Sequence, residues 1–202
     1  MSEAFPPQAT HGREIDLLTQ VFATVIEGRT ALYVSSPLTT GPRAFEWHLR
    51  NGGHSQGAFS AYAPDFHREV IEPNREATAG FVRYLRDKTN AVVIDPTALE
   101  DLPGWSQDDY RVFWGRVIER LADRVVFREG WQYSSGCAYE FLVAYTSGAR
   151  LLRENLVPLT VEEGRSLIRD AVNETRDRGA SSQFLSRVHE ALRKPARPKV
   201  RP

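Results

Sequence analysis

The sequence predicts an α/β fold, an open parallel sheet flanked by helices, with extra helices at the N- and C-terminal ends. Three observations carry this expectation. Short apolar runs of strand length alternate with longer segments of helical periodicity, in the order β-α-β-α-β-α-β. The first strand delivers small polar residues straight into a loop, as the ligand edge of an open parallel sheet does. With 202 residues, 41% of them hydrophobic, the chain is long enough for one well-buried domain with appendages.

The elements follow in order. In residues 14–27, Ile15, Leu18, Phe22, Val25 and Ile26 recur at helical spacing and Gly28 supplies a stop. Ala31 to Val34 is a short apolar strand that ends in Ser35, Ser36 and Pro37, followed by a Thr-Thr-Gly turn. Residues 41–73 read as a long irregular excursion rich in Gly and Pro, of the kind that is functional or disordered. A helix is expected from Asn74 to Lys88, a buried strand over Ala91 to Asp95 closed by Pro96, and a helix from Ser106 to Asp123 with an acidic start. Val125 to Phe127 is the third strand, and a helix follows the Ser134-Ser135-Gly136 turn. The segment "NLVPLT", residues 155–160, reads as the fourth strand. Thr160 and Glu163 form a capping box for a helix to about Arg176, and a last helix spans about Gln183 to Arg193. The division expected is a flexible N-terminus over 1–13, a single α/β domain over 14–193, and a basic disordered tail over 194–202.

Composition narrows the functional classes. The charges balance, 26 basic against 26 acidic, yet the last ten residues hold five basic residues and no acid. The body is therefore mildly acidic, which argues against a nucleic-acid-binding surface; the tail is read as solvated, with contact to phosphates or an acidic partner as the alternative. A single cysteine, Cys137, excludes an internal disulfide framework and a cysteine-rich zinc site. No apolar run is long enough to span a membrane, and the first residues lack the basic and apolar blocks of a signal peptide, so a cytoplasmic protein is expected. The loop after the first strand has neither the Gly-Lys-Ser/Thr of a phosphate-cradling loop nor a Gly-x-Gly-x-x-Gly spacing, which removes kinase and dehydrogenase readings.

Two strand ends are chemically rich, "SSPLTTGPR" and "REGWQYSSG". The hydroxyls and unpaired N–H groups of Ser134, Ser135 and Gly136, at a helix N-terminus, suit an anion such as phosphate, and Arg43 offers a second charged contact. Glu140 lies one helical turn past Gly136 and points back toward the helix start. There it is either a partly desolvated nucleophile or base, or a plain surface glutamate of an amphipathic helix.

Four motifs in order span about residues 31–160: Tyr33 to Gly41, Asn74 at a helix start, Val93-Ile94-Asp95-Pro96 at a strand end, and Ser134-x-Gly136-x-x-x-Glu140. In these the chain resembles the nucleoside 2-deoxyribosyltransferase-like superfamily. That group includes the nucleoside deoxyribosyltransferases, the 2′-deoxynucleoside 5′-phosphate N-hydrolases, and the CMP and hydroxymethyl-CMP N-glycosidases. The resemblance implies a flavodoxin-like (Rossmann-like) fold, often dimeric, so a homodimer is expected with sites near the interface. It implies that Glu140 attacks or stabilises C1′ of the sugar as the N-glycosidic bond breaks. It also implies that Ser134 meets a 5′-phosphate and that the loop of Ser36, Pro37, Leu38, Thr39 and Gly41, with Tyr33 before it and Asn74 beyond, binds sugar and phosphate. A carboxylate near an oxocarbenium-like transition state is sound chemistry.

The sequence departs from the pattern at one point. Relatives carry an acid eight residues before the Asp that precedes the third strand; that Asp is Asp123, and the earlier position holds Gly115. The nearest upstream acids are Asp108 and Asp109, either substitutes, with Asp109 taken as the second catalytic candidate, or ordinary helix-start charges. Trp131 and Tyr133 either line a nucleobase pocket or simply pack. Trp47, Phe59, Tyr62 and Phe66 either form a lid or anchor their own loop. His48, His54 and His67 lack the spacing of a metal set but suit protonation of a leaving base. Cys137 at a helix start is the rival nucleophile. The expected function is hydrolysis of a nucleoside 5′-monophosphate, with a pyrimidine nucleotide such as CMP among the candidates, to free base and sugar phosphate, with no cofactor and no metal. The alternatives are a deoxyribosyltransferase and a non-catalytic nucleotide-sensing module.

Overall fold

The computed structural model describes residues 5–51, 64–99 and 101–194. Its centre is a four-stranded, wholly parallel sheet: β1 (Ala31–Ser35), β2 (Val92–Ile94), β3 (Arg124–Phe127) and β4 (Arg150–Arg153), in the spatial order β2-β1-β3-β4. The helices are α1 (Gly12–Ile26), α2 (Pro42–Arg50), α3 (Pro64–Phe66), α4 (Glu72–Lys88), α5 (Gln107–Leu121), α6 (Ser135–Ser147), α7 (Val161–Asp177) and α8 (Gln183–Leu192). This is the open, flavodoxin-like α/β architecture expected, and no described helix is long and apolar enough to cross a membrane.

Strand alternation sorts the core into two layers. Leu32 and Val34 of β1 join Val93, Val126 and the α4 residues Val82 and Leu85 on one face. Tyr33, Val125 and Phe127 turn to the other, where Phe113, Val117 and Ile118 of α5 and Ala138, Phe141 and Ala144 of α6 cover them. The same period places Ser35 on the α6 side, with Tyr33, and Ser36 on the α4 side, where its hydroxyl lies 2.7 Å from that of Thr78.

Three expectations are corrected. The fourth strand is Arg150–Arg153, not 155–160; Leu156 turns at φ 65°, and only an isolated bridge joins Pro158 back to Leu152. A positive φ breaks an extended run, and Pro158 has no N–H to give a ladder. The excursion over 41–73 is helical at both ends: α2 starts on Pro42, a favoured first helical residue, and α3 leads through a π-turn, His67–Ile71, into α4. Asn74 therefore lies inside a helix rather than at its start. Residues 5–13, expected to be flexible, have fixed partners: Phe5 packs edge-on against Phe184 and Tyr139, and the N–H groups of Thr10 and His11 donate to Asp109. His54, Phe59, Tyr62 and the tail beyond Lys194 lie outside the described residues.

Candidate active site

The carboxyl ends of β1 and β3 open into a cleft of about 140 Å³ with Glu140 in its wall. Ser134 caps α6, its hydroxyl accepting the Cys137 N–H at 3.3 Å and pairing with Thr40 at 2.7 Å. That second bond ties the β1 loop to the α6 start. In the second turn of α6, Glu140 is 9% exposed and is gripped from the sheet: Tyr33 donates to Oε1 and Ser35 to Oε2, each at 2.6 Å. Burial pushes its carboxyl up from the ordinary 4.5 to about 7, against the two hydroxyl bonds, which favour the anion and pull it down. Close to neutrality the group is thus divided between acid and anion.

The sequence foresaw part of this cleft. Ser36, Leu38, Thr39, Ser134, Ser135 and Gly136 line it together with Glu140. Other candidates sit behind the wall. Tyr33 is fully buried, a support for Glu140 rather than a surface for ligand. Pro37 and Gly41 are buried and shape the turn. Arg43 bonds Asn74 Oδ1 at 2.8 Å, and Asn74 Nδ2 donates to the Leu38 carbonyl at 2.9 Å, so this pair braces the loop from α2 and α4.

Three assignments are corrected outright. Trp131 is 4% exposed and packed between Phe127 and Phe141, with ring centroids 4.9 and 4.8 Å away; it is core, not a base platform. Tyr133 likewise turns outward, donating to Glu174 of α7. Asp109 is fully buried and completes the capping box of α5 with Ser106, while accepting from Thr10 and His11. Burial alone would raise its carboxyl, but the bonds from Ser106, His11 and Thr10 outweigh that and hold it well below the usual carboxylate range. Asp109 is a structural anion with its oxygens already occupied, and it is not part of the cleft wall.

At Gly115 α5 packs tightly on α6: a Cβ there would lie 3.3 Å from Tyr139 and 3.6 Å from Val143. A carboxylate at this position would press into a helix contact. The α5 residues that do reach the cleft include Gln107, Tyr110, Arg111 and Trp114. Of these, Arg111 is the one sequence reading missed most plainly. It is 7% exposed, donates to Asp108 at 2.8 Å and to the Ser135 hydroxyl at 2.9 Å, and lies over the Phe184 ring at 4.3 Å. A guanidinium is thereby held beside the positive end of α6; Asp108 offsets part of its charge, and the helix end with the charge that remains favours an anion on the cleft side. Asp101, after β2, also lines the cleft. Ser35 could have been found from Tyr33 by strand period alone; Arg111 and Asp101 had no such signal.

The remaining alternatives weaken on geometry. Burial, and then the nearby Glu140, raise the Cys137 thiol well above its ordinary value, which leaves it a poor nucleophile. His67 pairs with Glu72 at the surface, and His48 packs against Trp47 and Phe66. Among the described residues no three of His, Cys, Asp and Glu gather as a metal set. An open hollow of about 400 Å³ lies beside Phe5, Tyr139 and Leu142, with a mostly apolar wall and Lys194 among its lining residues. No family model, curated protein or solved structure matches the chain.

Proposed function

We infer that the protein is an N-glycosidase that cleaves a nucleoside 5′-monophosphate to free base and sugar phosphate. One observation carries the reading: a buried glutamate, gripped through both oxygens by Tyr33 and Ser35, lines a cleft together with the N-terminus of its own helix and a guanidinium beside that helix start. The resemblance to the nucleoside deoxyribosyltransferase-like proteins in Tyr33 to Gly41, Val93 to Pro96 and Ser134 to Glu140 supports it.

In this account the phosphate rests at Ser134, Ser135 and Gly136, with Arg111 adding charge. The C1′–N bond breaks and its electron pair leaves with the base, which takes up a proton from solvent. Positive charge grows on C1′ and the ring oxygen as it does so. Glu140 lies in a poorly solvated wall, where its negative charge acts strongly on that growing cation, either as an ion or by bonding to C1′. Water then adds its oxygen to C1′, any Glu140–C1′ bond breaking with its electron pair returned to the carboxylate, and the extra proton of the water goes to solvent. Tyr33 and Ser35 keep the carboxylate oriented and lower the cost of its charge, so enough anion exists near neutral pH.

The test is incubation with the common ribo- and deoxyribonucleoside 5′-monophosphates, and with the corresponding nucleosides, followed by chromatography for free base. The reading expects release from at least one monophosphate and much less from its nucleoside. Base exchange between nucleosides without hydrolysis would assign a transferase instead. Tight nucleotide binding with no release would assign a sensing module.

A further inference from the structure

We propose that Asp101 reads the base, selecting nucleotides whose base carries an amino group on its hydrogen-bonding edge over their deaminated counterparts. This rests on the N-glycosidase reading above and deepens it. The placement comes from the sheet. β1 lies between β2 and β3, and Glu140 is tied to the β1 residues Tyr33 and Ser35. The anion-favouring turn Ser134–Gly136 follows β3, whereas Thr97, Leu99 and Asp101 follow β2. The two ends of the cleft thus fall on opposite sides of Glu140. With C1′ at Glu140 and the phosphate on the β3 side, the base extends to the β2 side.

That side is built for a flat ring with one polar demand. Pro96, Leu99, Tyr110 and Trp114 contribute apolar and aromatic wall. The segment around Asp101 is anchored, since the Leu102 N–H donates to the Tyr110 hydroxyl at 2.7 Å and Trp105 donates to Glu14 at 2.9 Å. Among the described residues the Asp101 carboxylate has no hydrogen bond or ion pair, and it is exposed to the cleft. Asp109, eight residues on, differs in this respect, because its oxygens are saturated. An ionised carboxylate only accepts hydrogen bonds. It therefore pairs with an amino group, as carboxylates do with the amino edge of cytosine, and repels a carbonyl in the same place.

The experiment compares kcat/KM for base release within matched pairs, CMP against UMP, AMP against IMP and GMP against XMP, for wild type and Asp101→Asn. Wild type is expected to favour the amino member of the pair it accepts by about 10- to 100-fold, the discrimination typical of a good polar base contact. In Asp101→Asn, whose amide both donates and accepts, the preference should fall to about threefold or less. A merely structural role for Asp101 would lower both members alike and leave the ratio standing. Equal rates within every pair for wild type, or an unchanged ratio in the variant, overturn the inference while leaving the glycosidase reading intact. Release of no base from any nucleotide overturns the reading itself, and this inference with it.

Discussion

Replacing Glu140 by Gln should stabilise the protein at pH 8 far more than at pH 5. The carboxyl is buried and raised from 4.5 to about 7, so the native state holds its proton more tightly than the unfolded chain does. Stability from this group is complete below the unfolded value and is lost as pH rises through the native one. At about 1.4 kcal/mol per tenfold change in proton affinity, the full loss is about 3 kcal/mol, most of which falls between pH 5 and pH 8. Glutamine keeps the shape and has nothing to titrate. Urea unfolding of both proteins at the two pH values removes every shared group from the comparison. The stability of the variant relative to wild type should rise by about 2–3 kcal/mol from pH 5 to pH 8, or about 5–10 °C in melting temperature for a chain of this size. A difference constant within about 0.5 kcal/mol would mean that Glu140 titrates as an ordinary surface carboxyl, and the desolvation argument would fail.

Three further outcomes follow from the same contacts. Ser35→Ala removes one of the two hydroxyls that favour the Glu140 anion; the rising limb of kcat/KM against pH should move up by about one unit, and an unmoved midpoint would deny Ser35 its role. Asp109→Ala removes the α5 capping box and the anchor of Thr10 and His11, costing about 1–3 kcal/mol at pH 7 by urea unfolding. Because the native Asp109 carboxyl is held low, that deficit should shrink as pH falls below the ordinary carboxylate range, and a pH-independent deficit would contradict the assignment. Gly164→Ala places a Cβ 2.1 Å from the Phe141 ring, which is fully buried, so a loss of about 2 kcal/mol or more is expected; a neutral change would show that α7 and α6 can part freely.

The sheet and most helices were legible because their signals are local. Apolar runs at β1, β2 and β3 and the Ser106 and Thr160 capping residues need no knowledge of the rest of the chain. β4 was misread because "RLLR" has only two apolar residues between arginines, while the more apolar "NLVPLT" is bent by Leu156 and Pro158. Gly- and Pro-rich composition likewise hid α2, where Pro42 is a helix start. In the site, Glu140, Ser134 and the β1 loop were readable because they share one helix start and one strand end. Arg111 and Asp101 reach the cleft only through tertiary placement, from α5 and from the turn after β2. Trp131 and Asp109 misled in the opposite way: their residue types suit a site, but the chain turns one into the core and spends the other on its own backbone.

The central claim is that the charge on Glu140 breaks the glycosidic bond. Base release from the preferred nucleoside 5′-monophosphate, measured for wild type and Glu140→Gln across the neutral range, tests it most directly. The account predicts a wild-type rate that climbs with pH through a midpoint near 7 and a variant slower by about a hundredfold or more throughout. A variant that releases base at the wild-type rate would contradict it.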